Sequence, residues 1–178
     1  MNTGLIATRY ATALLGFAGD AGTSAKVYDE MKVMAGVYEN VHVLTVELED
    51  PDLSTERKKK IILGSAGNKV CDTTLRFIDL VLEKKREALL RSMVLKYIDL
   101  YRKKNNIHQT IITTASAVDE ATQKRIISFI ASETGGSVEL KTKTDPSILG
   151  GFVIELGSKK WDGSLSGQLK RIKETYIK

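Results

Sequence analysis

The spacing of apolar residues divides the chain into two parts with different periods. From residue 3 to about residue 105, apolar side chains recur every three or four positions, which is the spacing of amphipathic helices. This pattern predicts a six-helix bundle joined by short polar turns. The clearest helices span about 3–18, 24–40, 54–64, 70–85 and 87–105, whereas residues 41–49 fit neither the helical nor the strand period.

The second part of the chain combines strand and helix patterns. Residues 107–118 are rich in isoleucine, threonine and valine, which favour a strand. Asp119 is a good N-cap for a helix to about residue 133, which Gly135-Gly136 closes. Apolar and charged residues then alternate over 138–143, which predicts a strand with one solvent-exposed face.

A dense series of turn signals follows. Asp145-Pro146 predicts a turn, because proline fixes its own φ and keeps the preceding residue out of the helical region. Gly150-Gly151 then allows a bend or a close approach of the backbone. The alternation at Phe152, Ile154 and Leu156 predicts a strand with one fully buried face.

The chain closes with a second turn and a last helix. Trp161-Asp162-Gly163 is a turn signal, and Ser164 is a good N-cap for the helix after it. The apolar stripe of that helix is Leu165, Leu169, Ile172 and Tyr176. The sequence therefore predicts an α+β fold, with a helical bundle over 1–105, a small α/β domain over 106–178 and a boundary near 104–107.

Two helices of the bundle are apolar over more of their surface than one core contact requires. The apolar arc spans roughly 200° on the first helix and roughly 160° on the helix at 70–85, whereas a surface helix needs roughly 100°. The simpler interpretation is that the first helix is central to the bundle. The alternative is that one side faces the core while the small residues Ala7, Ala11 and Ala18 accept a helix from another protein.

Composition and charge narrow the function. Apolar residues make up 42% of the chain and charged residues 28%, the balance of an ordinary soluble protein, and no apolar run approaches the roughly 20 residues of a membrane helix. The formal net charge of +5 raises nucleic acid as a partner. The charge is spread, however, since residues 1–105 carry 17 basic and 14 acidic side chains and residues 106–178 carry 10 and 8. A basic nucleic-acid-binding module is therefore the alternative hypothesis.

No set of residues points to catalysis or to a bound metal or cofactor. His42 and His108 are far apart in sequence, and lone histidines are more often structural than functional. Cys71 falls on the apolar arc of its helix, where a thiol behaves as a small hydrophobe. The segment 163–167 offers backbone N–H groups to an anion, but it lacks the lysine and the spacing of a phosphate loop. We therefore predict no catalytic, metal-binding or cofactor-binding residues.

The turn-rich final stretch carries a signature in the type and spacing of its residues. It consists of Asp145-Pro146-Ser147-Ile148-Leu149-Gly150-Gly151-Phe152, the strand to Gly157, Asp162-Gly163-Ser164-Leu165 and Gln168-Leu169. This signature resembles that of the delta subunit of the rotary ATP synthase, the family of the mitochondrial oligomycin-sensitivity-conferring protein. Arg9-Tyr10-Ala11-Thr12-Ala13-Leu14 is a weaker match. The resemblance covers the whole chain, although residues 41–50 are more β-like than the short helix that the family implies there.

The resemblance implies a non-catalytic stator subunit. In this family the helical bundle sits on the catalytic head and accepts the N-terminal helix of an alpha subunit in a groove between the first and fifth helices. These are the two helices with wide apolar arcs. The residues implied on or near the groove are Ile6, Tyr10, Ala11, Leu14, Val70, Thr74, Ile78 and Val81. The C-terminal domain is implied to hold the end of the b-subunit peripheral stalk, so that the head does not turn with the rotor.

The resemblance also implies where the protein is located and what role the signature residues have. A subunit of a proton- or sodium-translocating ATP synthase of this kind lies peripherally on the cytoplasmic face of the bacterial plasma membrane, without inserting into it. Apolar helix-in-groove contacts suit two tight interfaces in series that resist torque. The signature residues are expected to shape the C-terminal domain more than to contact partners; they are Asp145, Pro146, Gly150, Gly151, Phe152, Asp162, Ser164 and Leu165.

Overall fold

A computed structural model describes residues 3–41, 47–48, 50, 52–67, 69–157 and 159–176. Residues 174–176 are described by their backbone only. The chain divides into two compact units, Met1–Lys103 and Lys104–Lys178, and each is described by itself. Most of the ambiguous stretch over 41–50 lies outside the described residues.

The first unit is helical throughout its described elements. Its α-helices are α1 (Thr3–Asp20), α2 (Ser24–Asn40), α3 (Thr55–Ser65), α4 (Asp72–Glu83) and α5 (Leu90–Lys104), and a 3-10 turn at Glu87–Leu89 precedes α5. These bounds lie within three residues of those predicted from the apolar spacing, and for α2 they agree at both ends. The helical period, together with the cap and turn signals, therefore locates these elements.

These helices enclose one core. Its largest fully buried side chains include Met31 and Met34 of α2, Ile78 of α4, and Met93 and Tyr97 of α5. The hydroxyl of Tyr97 donates a hydrogen bond to a backbone carbonyl at the start of α2, at 3.2 Å. The one polar atom of this large side chain is thus satisfied inside the core.

A buried ion pair joins α3 to the 3-10 turn before α5. Lys58 Nζ lies 2.6 Å from Glu87 Oε1, and the two side chains are only 8% and 14% exposed. Burial alone would raise the pKa of Glu87, but the hydrogen bond and charge of Lys58 outweigh it and hold the pKa below its ordinary value. A pair so removed from water is sensitive to the loss of either partner.

Glu87→Gln should lower the free energy of unfolding by about 3 kcal/mol, because it leaves the Lys58 ammonium buried without a counter-charge. Glu83→Gln is the matched control: its pair with Lys84 is exposed, so the loss should stay below about 0.5 kcal/mol. Urea unfolding followed by far-ultraviolet circular dichroism measures both. Because the pKa of Glu87 is lowered, its contribution is present above about pH 4.5 and is lost in more acidic solution. Equal losses in the free energy of unfolding of the two variants would contradict the description of Lys58–Glu87 as a buried, stabilising ion pair.

The second unit is a small mixed sheet with two helices. It runs β1 (Ile107–Thr114), α6 (Glu120–Thr134), β2 (Ser137–Thr144), a 3-10 turn at Pro146–Ile148, β3 (Phe152–Leu156), β4 (Lys159–Asp162) and α7 (Leu165–Tyr176). The strand order is β2-β1-β3-β4. The crossover through α6 makes β1 and β2 parallel, whereas β1–β3 and β3–β4 are antiparallel. The α+β fold class is thereby confirmed.

The strand β4 was not predicted, and it includes the first two residues of the predicted turn at 161–163. Trp161 pairs with Ile154 of β3, and Asp162 pairs with Val153. The chain turns between β3 and β4 at Gly157, whose φ of +57° favours glycine, and it turns again after Asp162. Lysines are poor strand formers, but they are common on edge strands, where backbone pairing outweighs intrinsic propensity.

The predicted buried face of β3 is also wrong. Val153 is the buried residue of this strand, while Phe152 is exposed and Ile154 and Leu156 are half-buried. Alternate side chains point to opposite faces, so the predicted period was correct and only the assignment of the buried face was not. The face that carries Phe152 borders an open groove, described below.

Side-chain caps organise the signature stretch. The Asp145 carboxylate accepts a hydrogen bond from the Ser147 N–H at 3.0 Å. The Asp162 carboxylate accepts one from the Ser164 N–H at 2.9 Å, and Ser164 Oγ accepts one from the Gly167 N–H at 3.0 Å. Hydrogen bonds from Ser147 and Ser164 respectively lower the pKa values of the two aspartates. The N–H groups of Ser164 and Gly167 are therefore bound by the chain's own oxygens instead of being open to an anion.

The signature glycines allow the start of α7 to approach the start of β3. The Leu165 N–H donates to the Gly150 carbonyl at 3.0 Å, and the Gly163 N–H donates to the Phe152 carbonyl at 3.0 Å. Gly151 has a φ of +75°, and a Cβ on it would lie 2.3 Å from the Gly163 carbonyl oxygen. No other residue type fits this close backbone contact.

Gly151→Ala should destabilise the second unit by well over about 2 kcal/mol, because the clash with the Gly163 carbonyl adds to the roughly 1–2 kcal/mol that a left-handed alanine costs by itself. Gly157→Ala is the control that isolates the strain, since its φ is +57° but no atom lies within 4 Å of the added Cβ. Its loss should be about 1 kcal/mol. Thermal unfolding monitored through Trp161 measures both. A Gly151→Ala variant no less stable than Gly157→Ala would overturn this account of the signature.

Candidate partner-binding grooves

The described residues hold no cluster of three or more His, Cys, Asp or Glu side chains that could bind a metal ion. His108 lies within β1, and its Nε2 atom is buried without a hydrogen-bond partner. His42 lies outside the described residues. Within the part of the chain that the structure covers, no helix is long and apolar enough to cross a membrane.

Cys71 takes a different position from the predicted one. Because α4 begins at Asp72, Cys71 is the N-cap residue and not part of the apolar arc of the helix. Its backbone N–H donates to Glu30 Oε1 at 2.7 Å, and its thiol lies 3.4 Å from Glu30 Oε2. The Glu30 carboxylate, on α2, thus binds at the N-terminal end of α4, where backbone N–H groups lack helical partners.

An apolar groove of about 360 Å³ lies between α1 and α4, and we call it the α1/α4 groove. It is lined by Arg9, Tyr10, Ala13, Leu14, Phe17, Thr73, Arg76, Phe77 and Leu80. Phe17 and Leu80 are each nearly half exposed. Because both line one groove, they form a contiguous exposed apolar patch, which is typical of an interaction site.

Two hydrogen bonds fix the relative direction of the helices on either side of this groove. The hydroxyl of Thr23, in the turn between α1 and α2, lies 2.9 Å from the hydroxyl of Thr73 in the first turn of α4. At the other end, Arg86 Nη1 donates to the Tyr10 hydroxyl at 3.2 Å. The two helices are therefore antiparallel, and the groove follows the seam between them.

Of the eight residues implied by the resemblance, Tyr10 and Leu14 line the groove. Ala11, Thr74, Ile78 and Val81 are instead buried in the bundle, with exposures of 0%. Ile6 and Val70 are half-buried and pack against the same core.

The groove also contains residues that the sequence analysis did not select, chiefly Ala13, Phe17, Phe77 and Leu80. On the helical wheel of α1, Ala13, Phe17 and Tyr10 lie toward one edge of the wide apolar arc, whereas Leu14 lies near its centre. Ala7, Ala11 and Ala18 lie further along it and are buried in the core of the bundle. The signal that could have found the groove is therefore the edge of the arc.

The second unit has a larger apolar groove of about 880 Å³ between α6 and the strands β3 and β4, which we call the α6/β3 groove. Its lining is Arg125, Ile126, Phe129, Ile130, Glu133, Thr134, Phe152, Ile154, Leu156, Lys160, Trp161, Asp162, Gly163 and Arg171. Phe129 is 64% exposed and Trp161, the single tryptophan, is 49% exposed. Aromatic side chains this open are typical of surfaces that bind another protein.

The last helix adds further apolar surface to this unit. Of the predicted stripe, Leu165, Leu169 and Ile172 are each about half exposed, and the side chain of Tyr176 lies outside the described part of the structure. Arg171 Nη2 donates to the Asp162 carbonyl at 2.8 Å and so ties α7 to the end of β4. The stripe was predicted from the sequence, but its exposure was not.

A helical unit and an α+β unit, each with an open apolar groove, define a protein class whose sites suit the binding of other protein chains. The family model described as the ATP synthase delta (OSCP) subunit matches residues 6–175. The chain belongs to this family of ATP synthase subunits.

Relatives of known sequence agree with the family model along the whole chain. The chain is 42% identical to ATP synthase subunit delta of Phocaeicola vulgatus over 178 residues, which cover 99% of this chain and 96% of the relative. It is 32% identical to the protein of the same name from Prochlorococcus marinus over 97% of each chain. A chain in a structure of the Toxoplasma gondii mitochondrial ATP synthase hexamer has the same fold, with a TM-score of 0.69, 18% identity and coverage of 97% of both chains.

Proposed function

We propose that this chain is a non-catalytic stator subunit that links the catalytic head of the ATP synthase to its b-subunit peripheral stalk. The first unit binds the N-terminal helix of an alpha subunit, the second unit binds the end of the stalk, and the link keeps the head from turning with the rotor. Family membership supports this proposal. The single observation that carries it is the α1/α4 groove, because α1 and α4 (Asp72–Glu83, the fifth helix in the family's count) are the two helices to which the resemblance assigns alpha binding.

The dimensions of the α1/α4 groove suit a helix. From Tyr10 to Phe17 it follows two turns of α1, or roughly 11 Å at about 1.5 Å per residue. An amphipathic helix places apolar side chains at i, i+3, i+4 and i+7, which cover about the same length. Phe17 and Leu80 would become buried under such a helix, and this burial supplies the main driving force for docking.

The α6/β3 groove supports stalk binding by the second unit. It is lined by Phe152 and Ile154 of β3, by Trp161 of β4 and by Phe129 of α6. With the stripe of α7, these residues give the second unit an apolar surface that favours a long amphipathic segment over a small polar ligand.

The proposal places the chain peripherally on the cytoplasmic face of the bacterial plasma membrane, as part of an ATP synthase. Its bacterial relatives support this location. Mechanically, the head is held only if both grooves of one chain are occupied together. Apolar contacts serve this role well, because salt screens them much less than it screens surface ion pairs.

Leu80→Asp should weaken binding of a synthetic peptide of the alpha subunit's N-terminal helix by at least about tenfold, because docking would bury a carboxylate in an apolar groove. Leu95→Asp is the matched control: Leu95 is 47% exposed on α5 and does not line the groove. Its affinity should equal that of the wild type. Fluorescence anisotropy with a labelled peptide measures all three.

Equal binding by the Leu80→Asp and Leu95→Asp variants would exclude the α1/α4 groove as the alpha site. A position such as Ala11 is unsuitable for this test, since it is buried in the core and a charge there would unfold the unit. Failure of the wild type to bind the peptide, together with binding of duplex DNA that weakens steeply with salt, would favour the nucleic-acid-binding alternative.

Phe129→Asp should reduce the affinity for a peptide that spans the C-terminal end of the stalk's b chain by at least about tenfold, because it places a charge in the α6/β3 groove. Ser128→Asp, on the exposed neighbouring position of α6, should bind as the wild type does. The emission of Trp161 provides a readout without a label, and it should shift to shorter wavelength as the peptide covers the ring. An unshifted emission with full binding would place the stalk elsewhere on the chain.

A further inference from the structure

The charges on the α1/α4 groove are all of one sign. Arg9 on α1 and Arg76 on α4 are the only charged residues among those that line it, so each wall carries one guanidinium group. A third, Arg86, donates a hydrogen bond to the hydroxyl of Tyr10, which also lines the groove. An otherwise apolar groove thus has positive charge on both sides.

The carboxylates near this groove do not cancel that charge. Asp72 pairs with Arg76 at 2.8 Å, but both side chains are about 70% exposed, so the pair is well screened by water. Asp79 pairs instead with Lys59 of α3. Among the described residues, none forms an ion pair with Arg9, which therefore keeps its full charge for a partner.

We propose that the occupant of the α1/α4 groove is an amphipathic helix whose apolar face is bordered on both sides by carboxylates, which pair with Arg9 and Arg76. A guanidinium group binds a carboxylate with two parallel hydrogen bonds, so the two arginines fix the rotation of the helix about its own axis. The apolar contacts supply most of the affinity, while the charges supply selectivity and orientation. The identification of this helix as the N-terminus of an alpha subunit rests on the proposed function, whereas its charge pattern does not.

The same charges exclude the chain's own exposed helix. The apolar stripe of α7 would fit a helix-binding groove by its spacing. However, α7 also carries Lys170, Arg171 and Lys173, which would meet the arginines of the groove. Like charges at the rim disfavour self-association of the protein and leave the groove free for an acidic helix.

Two designed peptides with the same leucine stripe, one flanked by glutamates and the other by lysines, test the inference directly. The full-length protein should bind the glutamate peptide at least about tenfold more tightly, and the difference should shrink as salt is added. Arg9→Gln and Arg76→Gln should each weaken glutamate-peptide binding by about two- to fivefold, and the double variant should lose most of the preference. Arg91→Gln, an exposed arginine on α5 outside the groove, should keep it.

Equal affinity for the two peptides, binding of neither, or an unchanged preference in the double variant would overturn the inference. These outcomes are separate from those of the alpha-peptide experiment. If the alpha peptide binds but the designed peptides are not distinguished, the proposed function stands and the charge selectivity falls. If the designed peptides are distinguished through Arg9 and Arg76 but the alpha peptide does not bind, the selectivity stands and the partner is a different acidic helix.

Discussion

The apolar surface of α1, wider than one core contact needs, is the constraint on which the first unit depends. Residues in the middle of that surface, such as Ala7 and Ala11, are buried and allow close packing of the other helices. Residues toward its edge, such as Ala13 and Phe17, are left beside α4 with no further helix among the described residues to cover them. One helix therefore supports both a stable core and an open apolar groove. Arginines on both walls restrict the groove to partners of opposite charge.

The second unit solves a related problem with backbone contacts. Its signature residues cap the turns and allow the start of α7 to approach β3, as the fit of Gly151 against the Gly163 carbonyl shows. Backbone groups and short polar side chains form these caps and contacts. Large apolar side chains nearby are not needed for them and can be exposed at the surface. Phe152 is an example: its carbonyl holds the turn through Gly163, while its side chain lines the α6/β3 groove. The signature thus shapes the fold around the α6/β3 groove, while most of the residues that line the groove lie outside the signature.

Periodicity and capping located most elements in the sequence, because both are local. The bounds of α2 and the Asp119 cap of α6, whose carboxylate accepts the Thr122 N–H at 3.0 Å, needed no tertiary information. What failed depended on neighbours distant in sequence. The lysine-rich strand β4 exists because β3 pairs with it. Ala11 is buried and Ala13 is exposed, although both lie on the predicted apolar arc of α1. The structure has a groove between the two helices to which the resemblance points. Only tertiary packing separates core residues from groove residues along these helices.

In the proposed mechanism, one chain joins the head to the stalk through two separate grooves. Restoration of ion pumping coupled to ATP hydrolysis, in membranes depleted of this protein, tests that mechanism most directly. We expect that the wild type restores coupling and that neither the Leu80→Asp nor the Phe129→Asp variant does so. A mixture of the two variants should also fail, because each molecule retains only one of the two contacts. Restoration by either variant, or by the mixture, would contradict the mechanism.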